Sequence, residues 1–301
     1  MGTWSQLSSE ISQAVQKVGE SIVALEAGGR TLSGIVVDDT TIVTSAHAIR
    51  EEAKVHAFVT PDQPVSAAVL GRDYGSDLAV LKAEIKIGVP AAFAEGPQLA
   101  VGDLVVAIGR TWRGKLVASA GILSGLMGEW HTYRGKKIEA FIRPDLTLYR
   151  GFAGGALVGA DQKIIGMSST ALRRGSPLAV PYATIQRVAP VLSEKGYVPG
   201  PYLGLGLQPL RLPETVKQKL NLSEQVAALV VHVESGSPAE TAGLMIGDIL
   251  LAIADSRFGE ERTVSILSRL APNQKASIVG IRGGQKFTAN LVIEERPRTR
   301  G

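Results

Sequence analysis

Between residues 32 and 185 one pattern keeps returning: a short run of apolar and β-branched residues, then Gly, Asp or Pro. The runs are "SGIVV", "TIVTSA", "KVHAFV", "DLAVLKA", "DLVVAIG", "KIIGMSS" and "PLAVP". Such residues fit a pleated, buried surface, and the breakers stop each run before it can continue as a helix. The succession predicts an all-β barrel or sandwich. Ahead of it, "LSSEISQAVQKVGESIVAL" opens on serines and spaces its apolar residues by three and four, which predicts a short amphipathic helix running into a strand. Behind it, "IQRVAPVLSEKG" reads as a closing helix with Gly196 beyond its end.

At 301 residues the chain has room for about two domains. The stretch "YVPGPY", with two prolines and a glycine, reads as a linker. From 202 to 295 strands alternate with helical patches near 238–243 and 262–270, an α+β pattern with no simple repeat of the first half. The predicted division is 1–199, 200–296 and a basic tail at 297–301.

Several function classes find no support. A net charge of +4 is too small and too dispersed for nucleic acid, and the ending "ERPRTRG" is most simply a solvated end. With no cysteine, thiol catalysis and disulfides are excluded. No run of about 18 apolar residues occurs, and the first thirty residues hold no basic segment leading into an apolar one, so neither a membrane span nor an export signal is expected. The histidines at 47, 56, 131 and 232 lack ligand spacing, so no metal is expected. His56 and His232 fall in alternating strands, and the surroundings of His131, "GEWHTYRGKK", predict a loop. "GGALVGA" lacks the Lys-Ser/Thr of a phosphate loop, so no nucleotide or other cofactor is expected.

Three features carry possible chemistry. His47 follows an apolar strand in "TIVTSAHAI", Asp77 precedes one in "RDYGSDLAVL", and "RGFAGGAL" sets glycines around Ala153. Acyl transfer needs a nucleophile, a base, an acceptor that fixes the base's tautomer, and N–H donors for the oxyanion. A His, an Asp and a glycine-rich turn supply all of these except the nucleophile. Singly, each also has a plain structural reading: a packed histidine, a turn aspartate, a tight bend.

In combination the surrounding residues resemble a known family. "TSAH" at 44–47 is similar to the histidine motif of chymotrypsin-like serine proteases, and "SDLAVLK" at 76–82 to the aspartate motif of their HtrA/Deg branch. "RGFAGGALVGADQKIIGMSS" resembles that branch's nucleophile segment, whose usual core is Gly-Asn-Ser-Gly-Gly, and "GRTWRGKLVASAGILSG" resembles the segment ahead of it. The likeness runs over roughly 12–192. It implies a double-barrel protease domain with His47 as general base, Asp77 as its orienting partner and Ala153 at the nucleophile's position. It further implies an oxyanion hole from the N–H groups of Gly151 and Ala153, and strand pairing of substrate with Ser168, Ser169 and Thr170. The 171–180 loop would wall a specificity pocket through Ala171, Leu172, Leu178 and Ala179, although Leu178 and Ala179 can equally pack the barrel.

Alanine cannot act as a nucleophile, so the chain is expected to bind substrate and scarcely cut it. An engineered serine-to-alanine change leaves the rest of the machinery intact, whereas a natural pseudoprotease serving as a scaffold would be expected to have lost other parts as well. His47, Asp77 and the glycines all remain.

In the second half, "SGSPAETAGLMIGDILLAIAD" resembles the PDZ core motif, a likeness extending over about 202–295. It implies that "YLGL", Tyr202, Leu203, Gly204 and Leu205, receives a peptide's C-terminal carboxylate on backbone N–H groups, the adjoining strand accepting the peptide. Gly243, Gly247 and Asp248 would shape turns. The family implies unfolded polypeptides as partners, assembly as homotrimers or higher through N-terminal parts such as Trp4 and the first helix, and residence in the cell envelope. Met1 without a leader would instead suggest the cytoplasm.

Overall fold

The computed structural model describes residues 2–49, 54–60, 63–111, 114–173, 176–259 and 263–295, with the side chain of Val264 also left aside. The basic tail at 297–301 and the first residue of the 262–270 patch lie outside the described residues. Helix α1 (Thr3–Gly19) leads into strands β1 (Ile22–Ala27), β2 (Arg30–Val36), β3 (Thr41–Ser45), β4 (Val55–Phe58), β5 (Pro64–Asp73) and β6 (Leu78–Ala83). These six close an antiparallel barrel in the order β1-β2-β3-β6-β5-β4. Strands β7 (Leu104–Thr111) and β8 (Lys115–Met127), a small pair β9 (Trp130–His131) and β10 (Lys137–Ile138), then β11 (Phe141–Asp145), β12 (Ala156–Val158), β13 (Ile164–Ser169) and β14 (Leu178–Pro181) follow. A second closed barrel runs β11-β14-β13-β12-β7-β8, and helix α2 (Tyr182–Lys195) ends this part of the chain.

The apolar runs of the sequence are explained by where their two faces go. Successive side chains on a strand point to opposite faces. Val23, Val36, Ile42, Ala79 and Leu81 fill the first barrel, while their neighbours Ile22, Ile35, Val43, Leu78 and Val80 join Val106, Ile108, Val158 and Val180 in a separate core shared by both barrels. Val105, Ala107, Leu157 and Ile165 turn the other way into the second barrel. Both faces are buried, so these strands read as continuous apolar runs. Along α1, Ile11, Ala14, Val15 and Val18 form one stripe; Val18 belongs to the shared core, with Ile11 and Val15 packed against it, whereas Trp4, two turns earlier, is 85% exposed. Helix α2 buries Ile185, Val188 and Leu192, and Gly196 closes it in the left-handed region at φ +80°.

The chain divides into two units, residues 1–132 with 136–198 and residues 133–135 with 199–301. The second unit holds β15 (Pro201–Tyr202), β16 (Leu205–Arg211), α3 (Glu214–Leu220), β17 (Val226–Val233), α4 (Pro238–Thr241), β18 (Ile249–Ile253), β19 (Ser256–Arg257), α5 (Thr263–Ser268), β20 (Lys275–Arg282), β21 (Gln285–Val292) and β22 (Glu294–Glu295). Its sheet runs β16-β17-β18-β20-β21 over a core that includes Leu203, Val230, Leu250, Phe258, Ile266 and Ile278. Ser237 caps α4 by accepting the N–H of Glu240, with Pro238 in the first helical turn.

Some elements depart from the sequence reading. The first helix begins at Thr3, ahead of the serines that were expected to open it. Strand β8, 13 residues long, mixes Ala, Ser and Gly with larger residues and so shows little apolar contrast; its register with β7 and β11 defines it. Helix α3 is one amphipathic stretch of 7 residues, too short to display a period, and packs through Val216 and Leu220. His131 lies in β9, opposite Lys137, and not in a loop.

Candidate active site

The first barrel delivers His47 on a single 3-10 turn (Ala46–Ala48) directly after β3, and Asp77 immediately before β6. Strands β3 and β6 pair from Thr41↔Lys82 to Ser45↔Leu78, so the register itself brings the two ends together. Asp77 adopts φ +56°, a left-handed conformation that Asp tolerates better than most side chains. Its carbonyl accepts the N–H of Ala46 at 3.2 Å.

The Asp77 carboxylate is 1% exposed and surrounded by donors. Oδ1 accepts the backbone N–H of His47 at 3.0 Å and faces Nδ1 of the imidazole at 2.9 Å. Oδ2 accepts the hydroxyls of Ser45 and, at 2.6 Å, Ser169. An ionised carboxylate only accepts hydrogen bonds, so Nδ1 carries the proton and Nε2 keeps its lone pair. Thr170 Oγ1 lies 3.4 Å from that Nε2.

The hydrogen bond to Asp77 raises the pKa of His47 above its ordinary value; partial burial opposes this, the Asp77 charge adds to it, and the Arg30 charge opposes it weakly. Followed by NMR, the His47 ring should therefore titrate above about 6.5. A midpoint below that value would show that the carboxylate does not hold the ring in solution.

Ala153 belongs to the second barrel, in the turn between β11 and β12. Its carbonyl accepts the N–H of Ser33 in the first barrel at 2.9 Å. The N–H of Gly154 donates to Ser168 at 3.0 Å, and that of Gly155 to Phe152 at 2.9 Å. Gly154, at φ +83°, has no room for a side chain: a Cβ there would lie 2.2 Å from the Ser33 carbonyl oxygen, 2.3 Å from Thr44 Oγ1 and 3.0 Å from Ser45 N. The residue after Ala153 is thus pressed against the strand that ends two residues before His47. Among the described residues, none accepts from the N–H groups of Gly151 and Ala153.

The other predicted site residues fall as follows. Ser168 and Ser169 are buried, and the N–H and carbonyl of Ser168 are bonded to Gly155 and Gly154, so Ser168 has no free backbone to offer a substrate strand. Thr170 is exposed. Leu172, Leu178 and Ala179 are core residues of the barrels, the packing role already open to Leu178 and Ala179, since β14 is buried on both faces. In the second unit Leu203 is buried and its carbonyl accepts Ala239 N–H at 3.0 Å, while Gly204, at φ +73°, approaches Ser237 too closely for any Cβ. Tyr202 ends β15 and Leu205 opens the edge strand β16. Asp248 accepts Met245 N–H and pairs with Arg282 at 2.7 and 2.8 Å. Among the described residues no group of three His, Asp or Glu side chains could hold a metal ion, and no helix is long and apolar enough to cross a membrane.

Sequence reasoning passed over Ser45, whose hydroxyl completes the shell of Asp77 inside the quoted "TSAH", and Ser33. A buried serine in an apolar strand is the signal for Ser33, since it must find a partner.

Two six-stranded barrels with a His–Asp pair beside a glycine-rich turn define a chymotrypsin-like peptidase fold, and residues 32–167 match the family model described as "Trypsin-like peptidase domain". The chain is similar to serine endoproteases of the HtrA/DegP type. It is 28% identical over 274 residues to the "Probable periplasmic serine endoprotease DegP-like" of Hahella chejuensis, covering 89% of this chain and 57% of that one. The protein of the same name from Rhizobium meliloti is 27% identical over 274 residues, covering 87% and 52%. The solved "HtrA-type protease AlgW with tripeptide" superposes with a TM-score of 0.71 at 26% identity, over 96% of this chain and 98% of that one. The chain spans about half the length of the curated relatives it matches.

Proposed function

We propose that this chain is the protease and peptide-binding part of an HtrA-type serine endopeptidase, and that Ala153 stands in the nucleophile's place. What supports the reading is a carboxylate-held imidazole two residues past β3, together with a turn bearing Ala153 whose next residue, Gly154, is pressed against Ser45 at the end of that strand. In the competent enzyme the hydroxyl at 153 attacks the scissile carbonyl while His47 Nε2 takes its proton, and His47 then returns the proton to the leaving amine. Asp77 fixes the tautomer and stabilises the imidazolium, and the amides of Gly151 and Ala153 bind the oxyanion. With Ser168 paired internally, substrate pairs as an added strand from Thr170 onward.

The substrates are unfolded or misfolded polypeptides. The second unit is a PDZ domain whose Tyr202–Leu205 segment receives peptide C-termini; the positive φ of Gly204 and the open edge of β16 suit that role. The names of the relatives support the periplasm. The exposed Trp4 end of α1 supports assembly as a trimer. Light scattering should give a trimeric mass for the full chain and a smaller one after removal of residues 1–10; a monomeric full chain would remove the assembly proposal.

Ala153 itself favours a second reading, a non-catalytic scaffold that binds peptides through the second unit. Ala153→Ser, assayed on casein with and without His47→Ala, separates the two. Cleavage that needs both residues supports the enzyme, and no cleavage under any condition supports the scaffold.

A further inference from the structure

The turn that carries Ala153 is gripped from the first barrel by one residue, through its side chain and its backbone. Ser33, in β2, is fully buried. Its hydroxyl donates to the Gly151 carbonyl at 2.7 Å and accepts the N–H of Arg110 at 2.8 Å. Its own N–H donates to the Ala153 carbonyl at 2.9 Å, and its carbonyl accepts Thr44 Oγ1 at 2.6 Å.

The consequence follows from peptide planarity. Each plane joins the carbonyl of one residue to the N–H of the next. Holding the Gly151 carbonyl fixes the plane that ends at Phe152 N–H, and holding the Ala153 carbonyl fixes the plane that ends at Gly154 N–H. The plane between them carries the N–H of Ala153; its Phe152 carbonyl is held by Gly155 at 2.9 Å. Neither flanking plane can rotate without breaking a bond to Ser33, so the amides on either side of Phe152 have little freedom.

We propose that Ser33 is a positioning residue of the oxyanion site: by holding the Gly151 and Ala153 carbonyls it fixes the two planes that flank the Phe152–Ala153 peptide, and with them the direction of the Ala153 N–H. The inference rests on the protease reading above. Ser33 touches no reacting atom; it acts through the turn. Gly109 offers a second handle on the same contact, because a Cβ there would lie 2.8 Å from Ser33 Oγ and 3.5 Å from the Gly151 carbonyl oxygen, at a backbone conformation open to alanine.

Two arms test it. In the chain as it stands, Ser33→Ala frees the Gly151 carbonyl but keeps the backbone bond to Ala153, so amide exchange at Phe152 and Gly155 should speed at least ~10-fold while Gly154 and amides in the middle of β1 keep their protection. In the Ala153→Ser background, Ser33→Ala and Gly109→Ala should each lower kcat by about 10–100-fold, short of outright loss of a donor, with KM within about twofold. Affinity for a peptide boronic acid, which forms a tetrahedral adduct, should fall in parallel. Thr184→Val removes another buried hydroxyl of the same unit, bonded to Glu139, and supplies the comparison for general destabilisation. Unchanged exchange overturns the proposal, as does an active Ala153→Ser background in which kcat is unaffected or falls only as it does in Thr184→Val. Total inactivity of Ala153→Ser would count against the protease reading, and the exchange arm would still decide the role of Ser33.

Discussion

Ala153→Ser should raise the rate of casein cleavage by about a millionfold. The estimate rests on nucleophile deletions in a serine protease, which cost roughly 10⁶ in kcat and leave a residue of catalysis to the oxyanion donors and substrate binding. Everything that residue needs is in place here: Nδ1 faces a buried carboxylate at 2.9 Å, and the turn is braced through Ser33, Ser168 and Phe152. The added hydroxyl needs no rearrangement, because Ala153 is only half-buried. Stability should therefore stay within about 0.5 kcal/mol, read by urea unfolding. Activity should rise with pH through a midpoint above about 6.5, since the base works only when neutral and its bond to Asp77 favours the charged ring. His47→Ala in the same background should return cleavage to the starting level. Cleavage that survives His47→Ala would mean a contaminating activity or another site.

Much of this architecture was legible because the strands that matter bury both faces. Runs such as "DLVVAIG" announce themselves by lacking any polar alternation, and the cores they fill explain why. Strand β8 was illegible for the opposite reason: Ala, Ser and Gly carry too little contrast, and pairing with β7 and β11 decides its course. The candidate site divides the same way. His47, Asp77 and the 151–155 glycines stand in motifs, and so do Ser45 and Ser169, but the bonds of Ser33, Ser45 and Ser169 act across 118, 32 and 92 residues of sequence, which no motif shows. A serine inside an apolar run signals a buried hydroxyl that needs a partner, but nothing local names that partner. Of the two roles open to Leu178 and Ala179, the packing one is what their burial in the barrel cores shows.

Asp77→Asn offers the second large effect, and it can be read with or without a nucleophile. The carboxylate is surrounded by four donors: the backbone N–H of His47 on Oδ1, Nδ1 of His47 at 2.9 Å from Oδ1 and 3.1 Å from Oδ2, and the hydroxyls of Ser45 and Ser169 on Oδ2. An amide can accept on only one of these sides. If its NH₂ turns to the ring, Nδ1 must accept, the proton moves to Nε2, and the base is lost. If its oxygen turns to the ring instead, both serine hydroxyls must reverse, and the imidazolium has no counter-charge. In the Ala153→Ser background kcat should fall by about 10⁴, with KM changed far less. In the chain as it stands the His47 titration should move down, because the hydrogen bond that most raises it is weakened and partial burial then dominates. The stability linkage follows with a definite sign. A raised histidine pKa contributes stability that is fully present below the unfolded value of about 6.5 and is lost as pH rises through the folded value. The stability deficit of Asp77→Asn should therefore be larger at pH 5.5 than at pH 8.5, a comparison made by urea unfolding at both. A deficit that is equal at the two values, or a His47 titration left where it was, would mean that Asp77 holds the loop and not the ring.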